Sequence, residues 1–387
     1  VTALTARQRS VIVAAAGSAA GLGITYPLVF LPGALALGLG WLLGYLAGTM
    51  AGGGRRLAAT AALAPPAIAA PAFMPLLDVT QVLILGIAVL GLNVIVGWAG
   101  ELNLAQGTVV GLGAYVSAIL SVHHGWPILL TLPIAAALCG LVGLFLGLVA
   151  LRFEGIFLAV LTMSFALILP IVLKHYDGLT GGTQGIIVPD APLPGDQATG
   201  EYVLALVCVV LVVLLTYNVL RDAVGLALNA VRESPIAAAG SGVSASRVKI
   251  TAFVFGSVLA GIAGALYAMT VGFVGPDSFG LFYGIQFLTM VVVGGVRSIA
   301  GSFLGALLIF QLNAHVSPID LGSFVGADGL ALSPQAVFAL ILIGVLIATR
   351  DGVVGLLTKA GRALPLPSAV SRKLPRDQAS TLPEGTA

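Results

Sequence analysis

The sequence predicts an all-α fold, a polytopic transmembrane helical bundle. Three observations carry this. Of the 387 residues, 59% are hydrophobic and only 8% charged, whereas a soluble domain carries about 25% charged residues. Apolar runs of 18 or more residues recur, each long enough as a helix to cross roughly 30 Å of hydrocarbon. The 51 glycines suit helices that pack backbone to backbone in lipid. Alternating segments of about 10 residues, the mark of a membrane β-barrel, are not seen.

Taken in order, membrane segments are expected at about 10–30, 33–52, 57–75, 79–97, 104–121, 127–150, 155–173, 202–220, 250–273, 284–296, 299–314 and 335–349. The total is about 10–12, some discontinuous, because 284–296 and 299–314 are short and Gly-rich. The start, VTALTARQRS before an apolar run, superficially resembles a signal peptide, but the run continues past Tyr26 without a small-residue cleavage site. It reads as a first span or signal anchor. Pro65, Pro66, Pro71 and Pro75 kink or break the third segment. Three units follow: an N-terminal membrane extension over 1–78, a core over 79–350 and a polar tail over 351–387.

Charge sets an orientation. With the N-terminus inside, all of the 17 Lys and Arg except Lys174 fall on inner segments, as positively charged cytoplasmic loops require. Both termini are then cytoplasmic. The loop 174–201 and the stretch 314–334 are acidic and lie outside. They read equally as solvated loops or as a landing surface for an external protein.

Composition and motifs exclude several functions. The net charge of +2 gives no support to nucleic-acid binding. No Gly-Lys dipeptide occurs, so the chain has no Walker-type phosphate loop. His123, His124, His175 and His315 show no metal-ligand spacing, and Cys139 and Cys208 lie in apolar runs as core thiols. No catalytic cluster and no metal site are expected, and no cofactor is bound by this chain.

Four stretches stand out. In the first, a polar cluster, Glu101, Asn103 and Gln106, interrupts two apolar segments between Gly97, Gly100 and Gly107, with Asn93 just upstream. A helix break inside a membrane must face protein or a water-filled path, so these residues are candidates for a translocation path. An ordinary inner-edge turn, with Glu101 in headgroup water, fits equally. In the second, Arg152 and Glu154 are expected to form an interfacial pair, and Thr162 and Ser164 lie within a span. Bonding back to their own helix is the favoured role for these hydroxyls, with solute contact the alternative.

The third is the loop 221–249. Ser234-Pro235 is a helix start, and Gly240-Ser241-Gly242 a stop. The loop predicts a short helix of small residues lying across the membrane face, a docking surface for a partner; the alternative is a plain connector. In the fourth, Gly275-Pro276-Asp277 leads to Gly294-Gly295, Arg297 and Gly301, the pattern of a discontinuous membrane hairpin.

In this order, the stretches resemble the permease subunits of branched-chain amino-acid ABC importers, of the LivM type, over roughly residues 80–350. The likeness rests first on Leu92-Asn93, Gly97, Gly100, Leu102, Asn103, Leu104, then Gly111, Gly113, Ala114 and Tyr115. It continues through Arg152, Gly155, Ile156 and Ala159, then Leu179 to Gly182. Ala230, Arg232, Glu233, Ala237, Ala238 and Gly242 match the cytoplasmic loop pattern, and Ala260 to Ala268 and Pro276 to Phe279 complete it.

The resemblance implies that Arg232, Glu233, Ala237, Ala238, Gly242 and Arg247 belong to a coupling helix seated in an ATP-binding subunit. It implies a second, related permease chain, two ATP-binding subunits that use ATP and Mg, an external solute-binding protein, and a bacterial plasma-membrane setting. One departure is Glu101, with Ala105, where the family carries a neutral amide and a Gly. It raises the alternative of urea or a short amide as solute. A stand-alone ion-coupled carrier is the more remote alternative, since it calls for acids in mid-span.

Overall fold

The computed structural model describes residues 75–191 and 196–315, with the pairs 319–320 and 331–332 beyond them. The expected segments before 75 and at 335–349 lie outside the described residues. Every expected segment between has a helix.

Helix α1 (Leu76–Asn93) continues as a π-helical turn, Val94–Ala99, closed by Gly100 at φ 76°. Helices α2 (Gln106–His124), α3 (Ile128–Val149) and α4 (Ile156–His175) follow. A short α5 (Asp177–Thr180) and strand β1 (Ile186–Ile187) lead to α6 (Gln197–Arg221). Then come α7 (Ala223–Glu233), α8 (Pro235–Gly240), α9 (Ala245–Val271) and strand β2 (Phe273–Val274). Helices α10 (Leu281–Gly294) and α11 (Ile299–His315) form a hairpin, and β3 (Ile319–Asp320) pairs with β4 (Ala331–Leu332).

Five of these helical runs are long and apolar enough to cross a membrane, and α10 and α11 are shorter apolar helices. The chain is therefore a mostly helical, multi-pass membrane bundle. Its centre is α9, which packs on α1, α2 and α3. Glycines allow this: a Cβ on Gly91 would lie 2.6 Å from the Gly256 carbonyl oxygen, and the reverse holds equally. Small residues at such crossings replace the missing hydrophobic drive with close van der Waals packing. Tyr115, Phe253, Phe279, Phe287 and Phe303 fill the core.

The periphery has the opposite pattern. In α6, Val203, Val207, Leu211 and Leu215 are exposed at a spacing of four, one apolar stripe along the helix. Helix α4 exposes Ile156, Phe157, Ile168 and Ile171. With lipid as solvent, these stripes are outward faces, not defects.

The connections sort to two ends. At one end lie 100–105, 150–155, 222–244 and 295–298, tied together by Lys249, Arg232 and Arg297. At the other, β1 pairs antiparallel with β2, Ile186 opposite Val274, and Lys174 meets Asp277 at 2.6 Å. The expected Arg152–Glu154 pair is not formed: Glu154 instead lies 2.8 Å from Lys249. The reason is local. Residues 151–155 are a turn, and α9 begins beside it, so a lysine from another helix reaches the carboxylate first.

Candidate functional site

The site is built on the interruption between α1 and α2. The π-helical turn widens the end of α1, and Gly100 then reverses the chain in a left-handed conformation that suits glycine. Residues 101–105 are non-helical, so their backbone groups need partners. The Ala105 N–H donates to Asn103 Oδ1 at 3.0 Å, and the Leu104 N–H donates to Thr162 Oγ1 at 3.1 Å. Thr162 in turn donates to the Ala159 carbonyl at 3.0 Å.

Gln106 fixes the far side of the break. Its Nε2 donates to the carbonyls of Ala88 at 3.1 Å and Gly256 at 3.2 Å, while its Oε1 accepts from Asn103 Nδ2 at 3.3 Å. Ala88 lies halfway along the run Leu76–Ala99. The segment thus climbs from the end of α1 to mid-height before α2 begins. This is the discontinuous-helix arrangement in which irregular backbone stands at membrane depth.

Glu101 is not left to headgroup water. It is 8% exposed, and its Oε1 lies 2.8 Å from Lys249 Nζ. Lys249 is 6% exposed and bridges to Glu154 as well, also at 2.8 Å. The hydrogen bond and charge of Lys249 hold the Glu154 carboxyl below its ordinary range.

Asn93 sits one helix turn before Gly97 and serves the α10–α11 hairpin. Its Nδ2 donates to the Ser298 carbonyl at 3.1 Å and to Ser302 Oγ at 2.9 Å, and its Oδ1 accepts from the Arg297 N–H at 3.0 Å. That turn needs a clamp, because Arg297 adopts φ 67°, a conformation unfavourable for a residue with a Cβ.

The loop 221–249 lies against the same break. Ser234 caps α8, its Oγ accepting from the Ala237 N–H at 3.3 Å, with Pro235 at the first helical position. Gly242, at φ 82°, follows its end. Ala238 is buried with Val94, Trp98, Ala99, Leu228, Val231, Val248 and Ala252, a small apolar cluster joining the loop to the π-helical turn. The Arg232 guanidinium donates to the Gly97 carbonyl. Desolvation and the nearby Arg297 charge lower its pKa, against the opposite pull of Glu233. Glu233, Ala237, Gly242 and Arg247 are exposed, as are Leu226 and Ile236.

The structure therefore gathers Glu101, Asn103, Gln106 and Thr162 around one break, with Asn93 on α1 between the levels of its two ends. Ser164 is elsewhere, on the exposed face of α4, donating to the Val160 carbonyl at 2.9 Å. Among the described residues, no group of His, Cys, Asp and Glu is placed to hold a metal ion.

The family model described as branched-chain amino acid transport system / permease component matches residues 74–350. The chain belongs to that family. It is 35% identical over 247 residues to the high-affinity branched-chain amino acid transport system permease protein LivM of Escherichia coli (strain K12), covering 57% of this chain and 58% of the relative. LivH of the same organism is 25% identical over 244 residues, 57% of this chain and 77% of the relative. The autoinducer 2 import system permease protein LsrC of Enterobacter sp. (strain 638) is 26% identical over 224 residues, 55% of this chain and 63% of the relative. The chain thus spans less than two thirds of the length of the LivM relative. No solved structure matches it.

Within this family member, sequence reasoning missed the partners of the break. In the sequence Lys249 is one more basic residue of the loop. A lysine in the second turn of a long apolar helix is a signal in itself, since such a charge calls for a partner. Asn229 and Ser302, which receive Arg297 Nη2 at 2.7 Å and Asn93 Nδ2, carry no signal, because ordinary polar residues at helix surfaces are common.

Proposed function

We propose that this chain is a LivM-type pore-forming subunit of an ABC importer for branched-chain or related amino acids. The end bearing Arg232, Arg297 and Lys249 faces the cytoplasm of a bacterial cell, as do both termini. Residues 79–350 are the working core, 1–78 an added membrane segment, and 351–387 a cytoplasmic tail. A second permease chain completes the pore. Two ATP-binding subunits, using ATP and Mg, receive α7–α8, and an external solute-binding protein delivers cargo at the opposite end.

One observation carries this reading. Helices α7 and α8 stand out with Ile236 87% and Leu226 71% exposed, while the same segment holds the helix break through Arg232 and Ala238. Two exposed apolar side chains on a connecting segment at the polar end of the bundle, away from the lipid-facing stripes, support a docking surface there. A push on α8 from a partner would reach the break without passing through a flexible joint.

The family description supports an amino-acid solute. Glu101 motivates urea or a short amide as alternatives, but Lys249 neutralises that carboxylate locally. With that carboxylate paired, and the Asn103 and Gln106 amides and the Thr162 hydroxyl engaged within the chain, the break offers no free charge that argues against the amino-acid reading. The LsrC relative keeps another cargo on the same architecture as the second reading.

The test is purification of the tagged chain from its native membrane in mild detergent, followed by reconstitution with whatever accompanies it. Recovery of a second multi-span chain and Walker-motif ATPases, with ATP-dependent uptake of labelled leucine or isoleucine, is the expected result. A chain that purifies alone, under conditions that hold a known importer together, overturns the reading. Uptake of another solute by an intact complex leaves the ABC assignment and removes the amino-acid one.

A further inference from the structure

Lys249 joins three separate pieces of chain: the start of α9, the α1–α2 break through Glu101, and the α3–α4 turn through Glu154. Its two partners differ in surroundings. The Glu101 side chain is 10% exposed and the Glu154 side chain 71% exposed. An exposed pair is screened and weak. A shielded pair is costly to split, because each charge must find water or another partner.

The two ends of the break are also held differently. At mid-height, Gln106 makes neutral hydrogen bonds to the carbonyls of Ala88 and Gly256. At the lower end the holds are charged: Lys249 on Glu101, and Arg232 on the carbonyl of Gly97. Gly100, at φ 76°, gives that lower end a hinge. The Glu101 side chain keeps 10% of its surface exposed, whereas Gln106 is fully buried.

We propose that Lys249 is a positioning residue for translocation, the latch that keeps Gly100–Ala105 closed across the lower mouth of the path. When the mouth opens, Glu101 leaves with the segment and is hydrated, while Lys249 stays paired to Glu154. Glu154 thus lowers the cost of opening by keeping a partner for the lysine in both states. This rests on the translocation reading above, but its test does not require transport.

The experiment uses the full chain in inside-out membrane vesicles, in its native complex. Ala105 is fully buried within the break, so Ala105→Cys is the reporter, labelled with a membrane-impermeant maleimide. The same chain without the reporter gives the background from Cys139 and Cys208. Glu101→Gln with Lys249→Met removes both buried charges and leaves neither unpaired. The expected result is labelling about tenfold faster, equivalent to 1.4 kcal/mol in the closed–open equilibrium. The exchange Glu101→Lys with Lys249→Glu would set a second carboxylate beside Glu154, so Glu154→Lys is added. This triple exchange is expected to restore slow labelling.

Labelling unchanged in the neutral pair, at wild-type melting temperature, overturns the latch. So does a triple exchange that folds but labels as fast as the neutral pair, since the hold would then not be electrostatic. If the neutral pair melts early, Lys249→Arg, which keeps the charge, is expected to label slowly, and fast labelling there counts against the proposal. Leucine uptake in the unsubstituted complex is measured alongside. Its absence would remove the amino-acid reading of the solute, whereas the labelling rates still decide the latch.

Discussion

The Arg232 guanidinium donates to the Gly97 carbonyl, joining the last turn of α7 to the π-helical end of α1 across 135 positions of sequence. The same side chain lies over Gly100: a Cβ added there would sit 2.9 Å from Arg232 Cγ. A basic residue of the 221–249 loop thus touches the helix break at two points. Coupling between sites requires such a physical connection to an element with two arrangements.

Arg232→Ala is therefore expected to weaken the link between ATP turnover and uptake. A hydrogen bond from a charged group contributes about 1.5–3 kcal/mol, so uptake per ATP should fall by roughly tenfold or more. Arg232→Lys should recover only part of the loss: lysine keeps the Cβ–Cδ stem over Gly100, but its single ammonium replaces the planar guanidinium that reaches the Gly97 carbonyl. Uptake and ATPase rates measured on one reconstituted sample check this; equal uptake per ATP in wild type and Arg232→Ala would rule out the relay.

Asn93 has a role that tests differently. Its amide both donates and accepts across the Gly295–Ser302 turn. Asn93→Leu leaves the Arg297 N–H and the Ser298 carbonyl without their partner, at about 1–3 kcal/mol for each buried group. Asn93→Asp keeps the acceptor but sets a buried carboxylate against the Gly295 and Ser298 carbonyls, so it should not rescue the loss. Both variants are expected to melt below wild type in detergent. A Leu variant as stable as wild type would show that the turn holds itself.

Much of this architecture is legible in the sequence, and the reasons are physical. Lipid demands long apolar helices, so α3, α4, α6 and α9 stand within a few residues of their expected places. Ser234-Pro235 and Gly240 to Gly242 carry local capping chemistry, and α8 starts and stops there. The break at 100–105 is visible because glycines and amides interrupt an apolar run. Pairing over distance is what the sequence hides. Glu154 looks like the partner of Arg152, two residues away, yet it meets Lys249 from another helix. The contacts of the π-helical turn Val94–Ala99 are likewise long-range: Arg232 on the Gly97 carbonyl, and Leu228, Val231 and Ala238 packed on Val94, Trp98 and Ala99.

Helix crossings give a sharper stability test. A Cβ on Gly264 would lie 2.1 Å from the Val110 carbonyl oxygen, whereas one on Gly240 meets nothing within 4 Å. Gly264→Ala must push α9 from α2, and overpacking of this kind typically costs about 1–3 kcal/mol. Gly240→Ala, at the end of α8, is expected to be neutral or to stabilise by up to ~1 kcal/mol through the unfolded chain. Thermal unfolding of the two variants side by side decides it. If both behave alike, the α9–α2 approach is looser than these distances imply.

Ile236 and Glu233 separate docking from folding. Ile236 is 87% exposed at the second position of α8, so Ile236→Asp removes apolar surface that is almost uncovered by the described residues. Surface changes of this sort usually shift stability by no more than about 0.5 kcal/mol. Its melting temperature should match wild type, while a buried interface anchor can cost about 2 kcal/mol or more when lost. Retention of the ATP-binding subunits should then drop by at least ~30-fold. Glu233→Lys reverses a charge beside the same helix and should leave membrane insertion intact while uncoupling ATPase from transport. Ser234→Ala provides the contrast, loosening α8 by about 1 kcal/mol through its lost cap without altering the apolar face, so its defect in retention should be milder than that of Ile236→Asp. Full retention and wild-type solute-stimulated turnover in both Ile236→Asp and Glu233→Lys would mean that the partner binds elsewhere on this end of the bundle.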